Sequence, residues 1–293
     1  MRRIKAAMFT AVILCTAFFL VFPAKALADA GPKPSIHVGF AGIAEEEVFY
    51  GTLLSQYDTT GPCSAWDGTE EYARYAPGDE GYEIWKKFVD YQDSDGYYFL
   101  QEWWECSGED GISWTYYPPY SFKILLYFPE EDLFCVSPVY ERYAFDSYYT
   151  VDLSDYRSGS LTAEKSYDYT WEFVSLAVRI VFTVLVELAA AWLFGYRSRK
   201  ALSFLARVNV ITQVGLNVAL NAANYTSGYF LFIFLYVLLE LAVTVAEMLL
   251  YIRFLPRYAE KSKKSRAAAY AWTANILSFA AGMWLAAVIP GIF

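Results

Sequence analysis

The stretch Tyr229 to Ile252 places the strongest constraint on the fold, because it is a long apolar segment that contains two carboxylates. A helix needs about 20 apolar residues to cross a bilayer, and this stretch is long enough. Glu240 lies near its middle, and Glu247 follows two turns later. A charge at such a depth costs at least ~2.5 kcal/mol on insertion scales, so both carboxylates should face protein rather than lipid. The sequence therefore predicts a membrane-spanning helix with one polar face.

The charges divide the chain into two parts of opposite sign. Residues 29–170 hold 27 Asp+Glu and 8 Lys+Arg, whereas residues 171–293 hold 5 Asp+Glu and 11 Lys+Arg. The apolar residues also concentrate in the second part. This division indicates an acidic domain followed by a basic, apolar membrane segment. The acidic part argues against nucleic acid as a partner, because it would repel phosphates.

Residues 1–28 have the features of an export signal. They begin with basic residues, continue with an apolar core from Ala6 to Phe22, and end at the small-x-small site Ala26–Ala28. An uncleaved membrane anchor is the alternative. Both interpretations predict that Asp29 lies outside the cytoplasm.

Residues 29–153 are predicted to form a β-rich, sandwich-like α+β domain outside the cytoplasm. Short alternating or apolar runs are separated by turns rich in Gly, Pro and acidic residues. The apolar spacing within 83–91 favours one helix. The predicted strands are 35–40, 48–55, 97–104, 112–117, 122–128, 133–137 and one within 143–153. Residues 154–170 are polar and are predicted to tether this domain to the membrane.

Residues 171–293 are predicted to form four transmembrane helices, at 172–194, 201–222, 229–252 and 267–289. The connections 196–200 and 253–266 are rich in Lys and Arg, whereas 223–228 has no charge. The positive-inside rule places the two basic connections in the cytoplasm and residues 29–170 and the C-terminus outside. These features predict a multi-pass protein of the bacterial plasma membrane, with the lipid bilayer as a partner.

Each predicted span carries polar residues at helical spacing on one face, which predicts a shared polar interior. Equal depth in the membrane predicts that Arg207 bridges Glu187 and Glu247, and that Arg179 pairs with Glu240. The interior either forms an ion path or ligand site or fixes the packing of the helices. A homo-oligomer would favour transport. The predicted interior comprises Arg179, Thr183, Glu187, Arg207, Asn209, Gln213, Asn217, Glu240, Thr244, Glu247, Asn275 and Ser278.

An acidic turn after the predicted helix is a candidate calcium site. Aligned to an EF-hand loop, Asp93, Asp95 and Glu102 take ligand positions, and Gly96 takes the position of the turn glycine. Tyr91 stands where the first aspartate is required. The alternative is an ordinary turn, because Asp and Gly tolerate turn geometry.

Three cysteines lie in the predicted exported domain, which favours one disulfide and one free thiol. Cys63 and Cys106 are the predicted pair, because both lie in loop-like sequence. Cys135 lies in a strand-like run and is predicted to be a buried thiol. All three could also stay reduced.

A dense group of aromatic residues between 103 and 120 could stack on sugars, hold a peptide, or fill the core of the domain. Catalysis has little support. His37 is the sole histidine, so a Ser-His-Asp site would depend on one residue in a strand. The aromatic residues are Trp103, Trp104, Trp114, Tyr116, Tyr117 and Tyr120.

The segments GPKPS (31–35), DGYYFL (95–100), FKILLYFPE (122–130) and YAFDSYY (143–149) resemble an uncharacterised family of exported bacterial multi-pass membrane proteins. The polar pattern of the spans, including Thr212, is similar to the C-terminal four-helix region of that family. The resemblance covers nearly the whole chain after the export signal. It implies an architecture and no activity.

Three functions are compatible with these features. The first is a non-enzymatic protein whose outer domain binds or senses a cell-envelope ligand or protein partner. The second is a transporter, an ion- or proton-conducting protein, or a transporter accessory subunit that uses the polar interior. The third, a glycan-acting enzyme of the cell envelope, rests only on aromatic residues beside carboxylates.

Overall fold

The structure is a computed structural model that describes residues 31–259 and 262–288. The predicted export signal, residues 1–28, lies outside the described residues.

Residues from Ser35 onward form two β-sheets. The first sheet has β1 (Ser35–Ala41) at its centre, paired in parallel with β10 (Asp146–Asp152) and antiparallel with β6 (Ile112–Trp114). The strand β11 (Ala163–Lys165) pairs with β10 at the other edge. The parallel pair means that the first and last long strands of the region lie side by side.

The second sheet is antiparallel and has β7 at its centre. Its order is β5 (Trp104–Cys106), β2 (Phe49–Ser55), β7 (Ser121–Phe128) and β8 (Leu133–Val136), and β9 (Tyr140–Glu141) also pairs with β7. A two-stranded hairpin of β3 (Thr59–Thr60) and β4 (Cys63–Ser64) lies outside both sheets.

The strand β7 is buried on both faces, and successive side chains enter different cores. Ile124 packs in the core that the two sheets share, whereas Leu125 packs with the helix α1 (Tyr82–Asp90). The helix contributes Trp85 and Phe88 to this second core. The two-residue period of a strand produces this division. The region is therefore a sheet–sheet–helix arrangement, consistent with the predicted β-rich, α+β class.

The predicted strand 97–104 is mostly absent. Tyr98 makes only an isolated bridge to Ser55, and regular pairing begins at Trp104. The reason is Gln101, which has a φ of 62° and therefore leaves the extended conformation. Its buried side-chain amide donates to the carbonyl of Ser64 and holds the chain in this turn.

The predicted tether, 154–170, is largely part of the β-rich region. Tyr156 and Leu161 are buried in the core shared by the sheets, and β11 pairs with β10. Their apolar side chains explain the packing, since exposing them would cost hydrophobic free energy. Only the few residues after Lys165 connect the sheets to the helices.

Three long helices follow: α2 (Thr170–Leu193), α3 (Arg199–Phe254) and α4 (Lys264–Val288). The helix α3 is broken at Gly228, whose φ of 77° and ψ of 179° are not helical. Its two halves contain the predicted spans 201–222 and 229–252, and α4 contains most of the predicted fourth span.

Two helical segments of the described chain are long and apolar enough to cross a membrane. They are Thr170–Leu193 and Arg199–Arg257, with mean hydropathies of 2.1 and 2.3. The second of these segments holds two of the predicted spans, 201–222 and 229–252. The helix α4, which contains most of the predicted fourth span, is not one of the two segments, so the structure supports two such segments rather than four.

Candidate functional site

The helical region differs from a soluble helical bundle in what it exposes and in the polar groups that it buries beside its apolar clusters. It exposes large apolar side chains, namely Phe173, Leu185, Ile211, Phe230, Leu249 and Ile276. It buries polar ones, namely Arg179, Glu187, Asn209, Gln213, Asn217, Thr244, Glu247, Asn275 and Ser278. Soluble proteins bury apolar residues and leave charged ones exposed. The predicted polar faces thus turn inward, with Arg207 as the exception.

A small polar cavity lies at the level of Arg179 and Glu240, and both residues line it. The guanidinium of Arg179 donates to the Asn217 side-chain oxygen at 3.1 Å, and Asn217 donates to the carbonyl of Gln213 at 2.8 Å. The accessible volume is ≈ 20 Å³, enough for about one water molecule or small ion. Thr183 and Ser278 also line the cavity.

A second polar cluster surrounds Glu247, which is fully buried in the second half of α3. Its Oε1 accepts a hydrogen bond from Thr212 at 2.5 Å, and its Oε2 accepts one from the side-chain amide of Asn275 at 2.8 Å. Three helical segments therefore meet at this carboxyl group.

Glu187 on α2 joins the same cluster. It is fully buried, and its Oε1 accepts a hydrogen bond from Ser278 at 3.2 Å. Ser278 also donates to the backbone carbonyl of Asn275, one turn earlier on α4. The two glutamates thus contact neighbouring residues of α4. Asn209 adjoins the cluster and accepts a hydrogen bond from the Tyr251 hydroxyl at 2.6 Å.

Three buried polar atoms of this cluster have no hydrogen-bond partner. They are Oε2 of Glu187, Oδ1 of Asn275 and Nδ2 of Asn209. Among the described residues, neither Glu187 nor Glu247 forms an ion pair. A buried carboxylate without a cation is costly, so this cluster is the most unusual feature of the interior.

The predicted role of Arg207 is wrong. Its side chain is exposed, and its Nε donates to the carbonyl of Ser203 on the same helix at 3.1 Å. Arg207 has the right depth, but it lies two residues before Asn209, which is about 200° around the helix. Thr212 and Asn275 occupy the positions around Glu247 that Arg207 was predicted to fill.

The acidic turn has a cation from the chain itself. The ammonium of Lys123 donates to Asp93 at 2.8 Å and to Asp95 at 2.5 Å. Glu102 instead forms an ion pair with Arg74. Within the part of the chain that the structure describes, no three His, Cys, Asp or Glu residues converge as a metal site. Calcium binding stays a prediction, and it would have to displace Lys123.

The predicted disulfide between Cys63 and Cys106 is not present, because both thiols are free. Cys106 is buried and donates weakly to the carbonyl of Trp104, whereas Cys63 donates to the Glu102 carboxylate at 3.4 Å. Burial raises the pKa of Cys63 to about 12, and Glu102 adds to this shift. Cys135 is a fully buried thiol, as predicted.

The aromatic residues divide between core and surface. The tryptophans are buried or half-buried, whereas Tyr117 and Tyr120 are exposed and line an open cleft with Tyr57 and Arg142. Pro118 and Pro119 form part of the same wall, and the cleft has a volume of ≈ 390 Å³. We call this the tyrosine cleft. Its rings and one guanidinium could hold a ligand by stacking and by charge.

The β-rich region docks on the break in α3. The backbone N–H of Phe145 donates to the carbonyl of Tyr225 at 2.8 Å. The Phe145 ring lies against Gly228, where an added Cβ would be 2.6 Å from the ring. Tyr143 and Tyr167 also pack on the Tyr225 ring. The sheets and the helices therefore meet at one specific point.

A hydrogen-bonded chain around His37 was not predicted. Ser113 contacts Nδ1 of His37 at 3.1 Å, Nε2 contacts Ser35 at 3.0 Å, and Ser35 donates to Asp146 at 2.5 Å. The His37 ring stacks on Tyr148. Burial lowers the pKa of His37, although Asp146 acts to raise it. The sequence contained one indication of this chain of hydrogen bonds, namely Ser35, which lies two residues before His37 on the same face of the strand.

Comparisons with protein-family models, with curated proteins and with solved structures find no match to this chain.

Proposed function

We propose that the chain is a multi-pass protein of the bacterial plasma membrane, with the β-rich region and the C-terminus outside. The exposed apolar side chains of the helical region and its buried polar groups support this proposal, because lipid suits exposed apolar side chains and excludes exposed charges. The contact between Phe145 and Tyr225 supports the orientation. It joins the β-rich region to the uncharged connection 223–228, which the positive-inside rule also assigns to the outside.

The function that the geometry supports best is ligand or partner binding by the β-rich region, without catalysis, and transmission of the bound state to the helices. One observation carries this proposal. Arg142 lines the tyrosine cleft, and Phe145, only three residues later, docks on the break in α3. A ligand that shifts Arg142 would act on a contact at the Gly228 break, where the helix already departs from regular geometry.

The cleft favours a ligand of the cell envelope with a flat or apolar face and a negative group. The exposed tyrosine rings offer stacking surfaces, and Arg142 offers a guanidinium for a carboxylate or phosphate. The backbone N–H of Arg142 donates to the carbonyl of Tyr120 at 2.8 Å, which joins these two residues of the cleft directly.

Hydrogen exchange on the full chain in nanodiscs tests the proposal. Fractionated cell-envelope extract is the probe, and protection of residues 223–232 is the readout. We expect one fraction to change this protection in the wild type, and we expect Tyr120→Ala or Arg142→Ala to abolish the change.

Tyr72→Ala is the matched control, because Tyr72 is also an exposed tyrosine but does not line the cleft. It should leave the response intact. In Phe145→Ala the extract should still bind but should no longer alter residues 223–232. Binding that alters these residues equally in Phe145→Ala would contradict the transmission step.

A second candidate function is passage of ions or protons through the helical region. The observation that favours it is the fully buried pair Glu187 and Glu247, which have no ion-pair partner among the described residues. Flux measurements in proteoliposomes test it, with Glu240→Gln and Glu247→Gln as variants. Flux that is absent, or equal in wild type and variants, would exclude this function.

A further inference from the structure

The cluster around Glu187 and Glu247 contains more acceptor capacity than the chain itself satisfies. Both carboxyl groups have no exposed surface. Thr212, Asn275 and Ser278 supply three hydrogen bonds to them. Oε2 of Glu187 and Oδ1 of Asn275 remain buried without a donor.

The two unsatisfied oxygens lie on residues of one hydrogen-bonded cluster. Asn275 binds Glu247 through its Nδ2, which leaves Oδ1 free to face another group. Ser278, one turn later on α4, binds Glu187. Reversing the Asn275 amide would not help, because its Nδ2 also donates to the carbonyl of Ala271 at 3.0 Å. An amide oxygen and an ionised carboxylate oxygen can only accept. The cluster has one donor atom without a partner, Nδ2 of Asn209, but a neutral donor does not neutralise two buried carboxylates, so a cation or a proton is still required.

We propose that Glu187 and Glu247 bind a monovalent cation between α2 and α3, with Asn275 supplying a neutral oxygen ligand. The donor set contains oxygen atoms only, which suits a hard cation such as sodium. The two carboxylates together carry two negative charges, which one monovalent cation and one proton, or one divalent cation, would neutralise. The monovalent ion is favoured because fewer than three acidic or His/Cys side chains converge among the described residues, whereas calcium takes six to eight oxygen ligands. A proton bound to one carboxyl group uses the same oxygens, and the experiment separates the two.

This proposal deepens the second candidate function, but binding does not require passage. A bound ion can hold α2, α3 and α4 together without crossing the membrane. Absence of flux would therefore leave the binding site untouched, and absence of binding would exclude this site whatever the flux.

Thermal unfolding of the full chain in detergent tests the proposal, because an ion that binds only the folded state raises the midpoint temperature of unfolding by mass action. Unfolding is compared in sodium, potassium and choline chloride at equal ionic strength, at about pH 6 and about pH 8.5. The other titratable groups that face the pair are Tyr251, Tyr270 and, two turns before Glu247 on α3, Glu240. Unperturbed tyrosines do not ionise in this range.

We expect sodium to raise the midpoint over choline at about pH 8.5, and less at about pH 6, where protons compete for the carboxylates. Direct binding of radioactive sodium should weaken at least about ten-fold in Glu187→Gln and in Glu247→Gln, since each loses one of two charged ligands. Asn275→Ala should weaken it less. A midpoint temperature that falls with rising pH but is the same in sodium and choline would show that the site binds only a proton, and this result would overturn the cation proposal.

Glu172→Gln is the matched control, because Glu172 lies on the same helix as Glu187 but about 22 Å along its axis. It should retain the full sodium effect. If any variant fails to fold, sodium binding by the folded Asn275→Ala protein still tests the site. Equal midpoints in all salts and at both pH values, or a sodium effect that persists in Glu247→Gln, would overturn the proposal.

Discussion

The ring of Phe145 occupies the space that a side chain at Gly228 would need. The packing of the β-rich region on the break in α3 therefore requires glycine at position 228. A Cβ at Gly228 would be 2.6 Å from the ring. The backbone of Gly228 has a φ of 77°, which is in the region that favours glycine. The adjacent hydrogen bond from Phe145 to Tyr225 fixes the register of the contact. In the proposed function, a change in the sheets reaches the helices through this contact.

Gly228→Ala should therefore destabilise the protein by about 2 kcal/mol, from left-handed backbone strain and from the clash with Phe145. Gly215→Ala is the matched control, because Gly215 lies in the same helix with nothing within 4 Å of an added Cβ. It should stabilise by up to about 1 kcal/mol, as alanine is the better helix former. Unfolding midpoints in detergent check both. A Gly228→Ala protein as stable as the wild type would contradict the proposed packing.

Replacing Lys123 by Met should cost about 3 kcal/mol, because it leaves Asp93 buried without its cation. Lys86→Met is the control, since Lys86 pairs with Asp90 at the surface, and its loss should cost no more than about 0.5 kcal/mol. Chemical unfolding followed by near-UV circular dichroism measures both. Equal losses in the two variants would show that the buried pair has no special role.

The same ion pair gives a pH dependence. Burial acts to raise the pKa of Asp93, but hydrogen bonds from Lys123 and from two backbone N–H groups outweigh it and lower the pKa. Burial acts to lower the pKa of Lys123, but Asp93 and Asp95 raise it. The stabilisation is thus full between about pH 4 and about pH 10. This stabilisation is lost as pH falls through the lowered pKa of Asp93 or rises through the raised pKa of Lys123. The stability of Lys123→Met should therefore show neither the acid nor the alkaline loss that this ion pair causes.

Calcium titration of the full chain tests the acidic turn. We expect no rise of the unfolding midpoint beyond that produced by choline chloride of equal ionic strength, because the Lys123 ammonium lies between Asp93 and Asp95. A rise that disappears in Asp93→Ala and Asp95→Ala, and that grows in Lys123→Met, would instead show that calcium displaces the lysine.

Arg207→Ala should change stability by less than about 0.5 kcal/mol, because the side chain is exposed and contacts only its own helix among the described partners. Arg179→Ala should cost about 2 kcal/mol, because Arg179 is buried and donates to Asn217. Thermal unfolding in detergent compares them. The reverse order would support the ion pairs predicted from depth alone.

Thiol labelling without reductant tests the absence of the disulfide. After denaturation, Cys63, Cys106 and Cys135 should all react with a maleimide. In the native protein Cys63 should react first, because it is the most exposed of the three, and slowly, because its pKa is raised to about 12. Mass spectrometry counts the labels. If two of these three cysteines do not react with the maleimide after denaturation, the predicted disulfide between Cys63 and Cys106 would be supported instead.

The sequence by itself was enough to locate most elements, since propensity and periodicity act over a few neighbouring residues. The strands around Ser35, Phe49 and Ser121 and the helix starting near Glu83 were predicted to within two residues. The inward polar faces followed from helical spacing. One exception, Gln101, depends on hydrogen bonds to Ser64 and Tyr72, which are far away along the chain.

Which polar groups meet was decided only by the tertiary structure. Depth along a helix can be counted in the sequence, but its rotation about its axis depends on all its neighbours, so Arg207 faces away and Thr212 and Asn275 bind Glu247. The same holds for Lys123 between two aspartates and for Phe145 on Gly228. These contacts join residues tens of positions apart, and no local pattern in the chain encodes the distance between them.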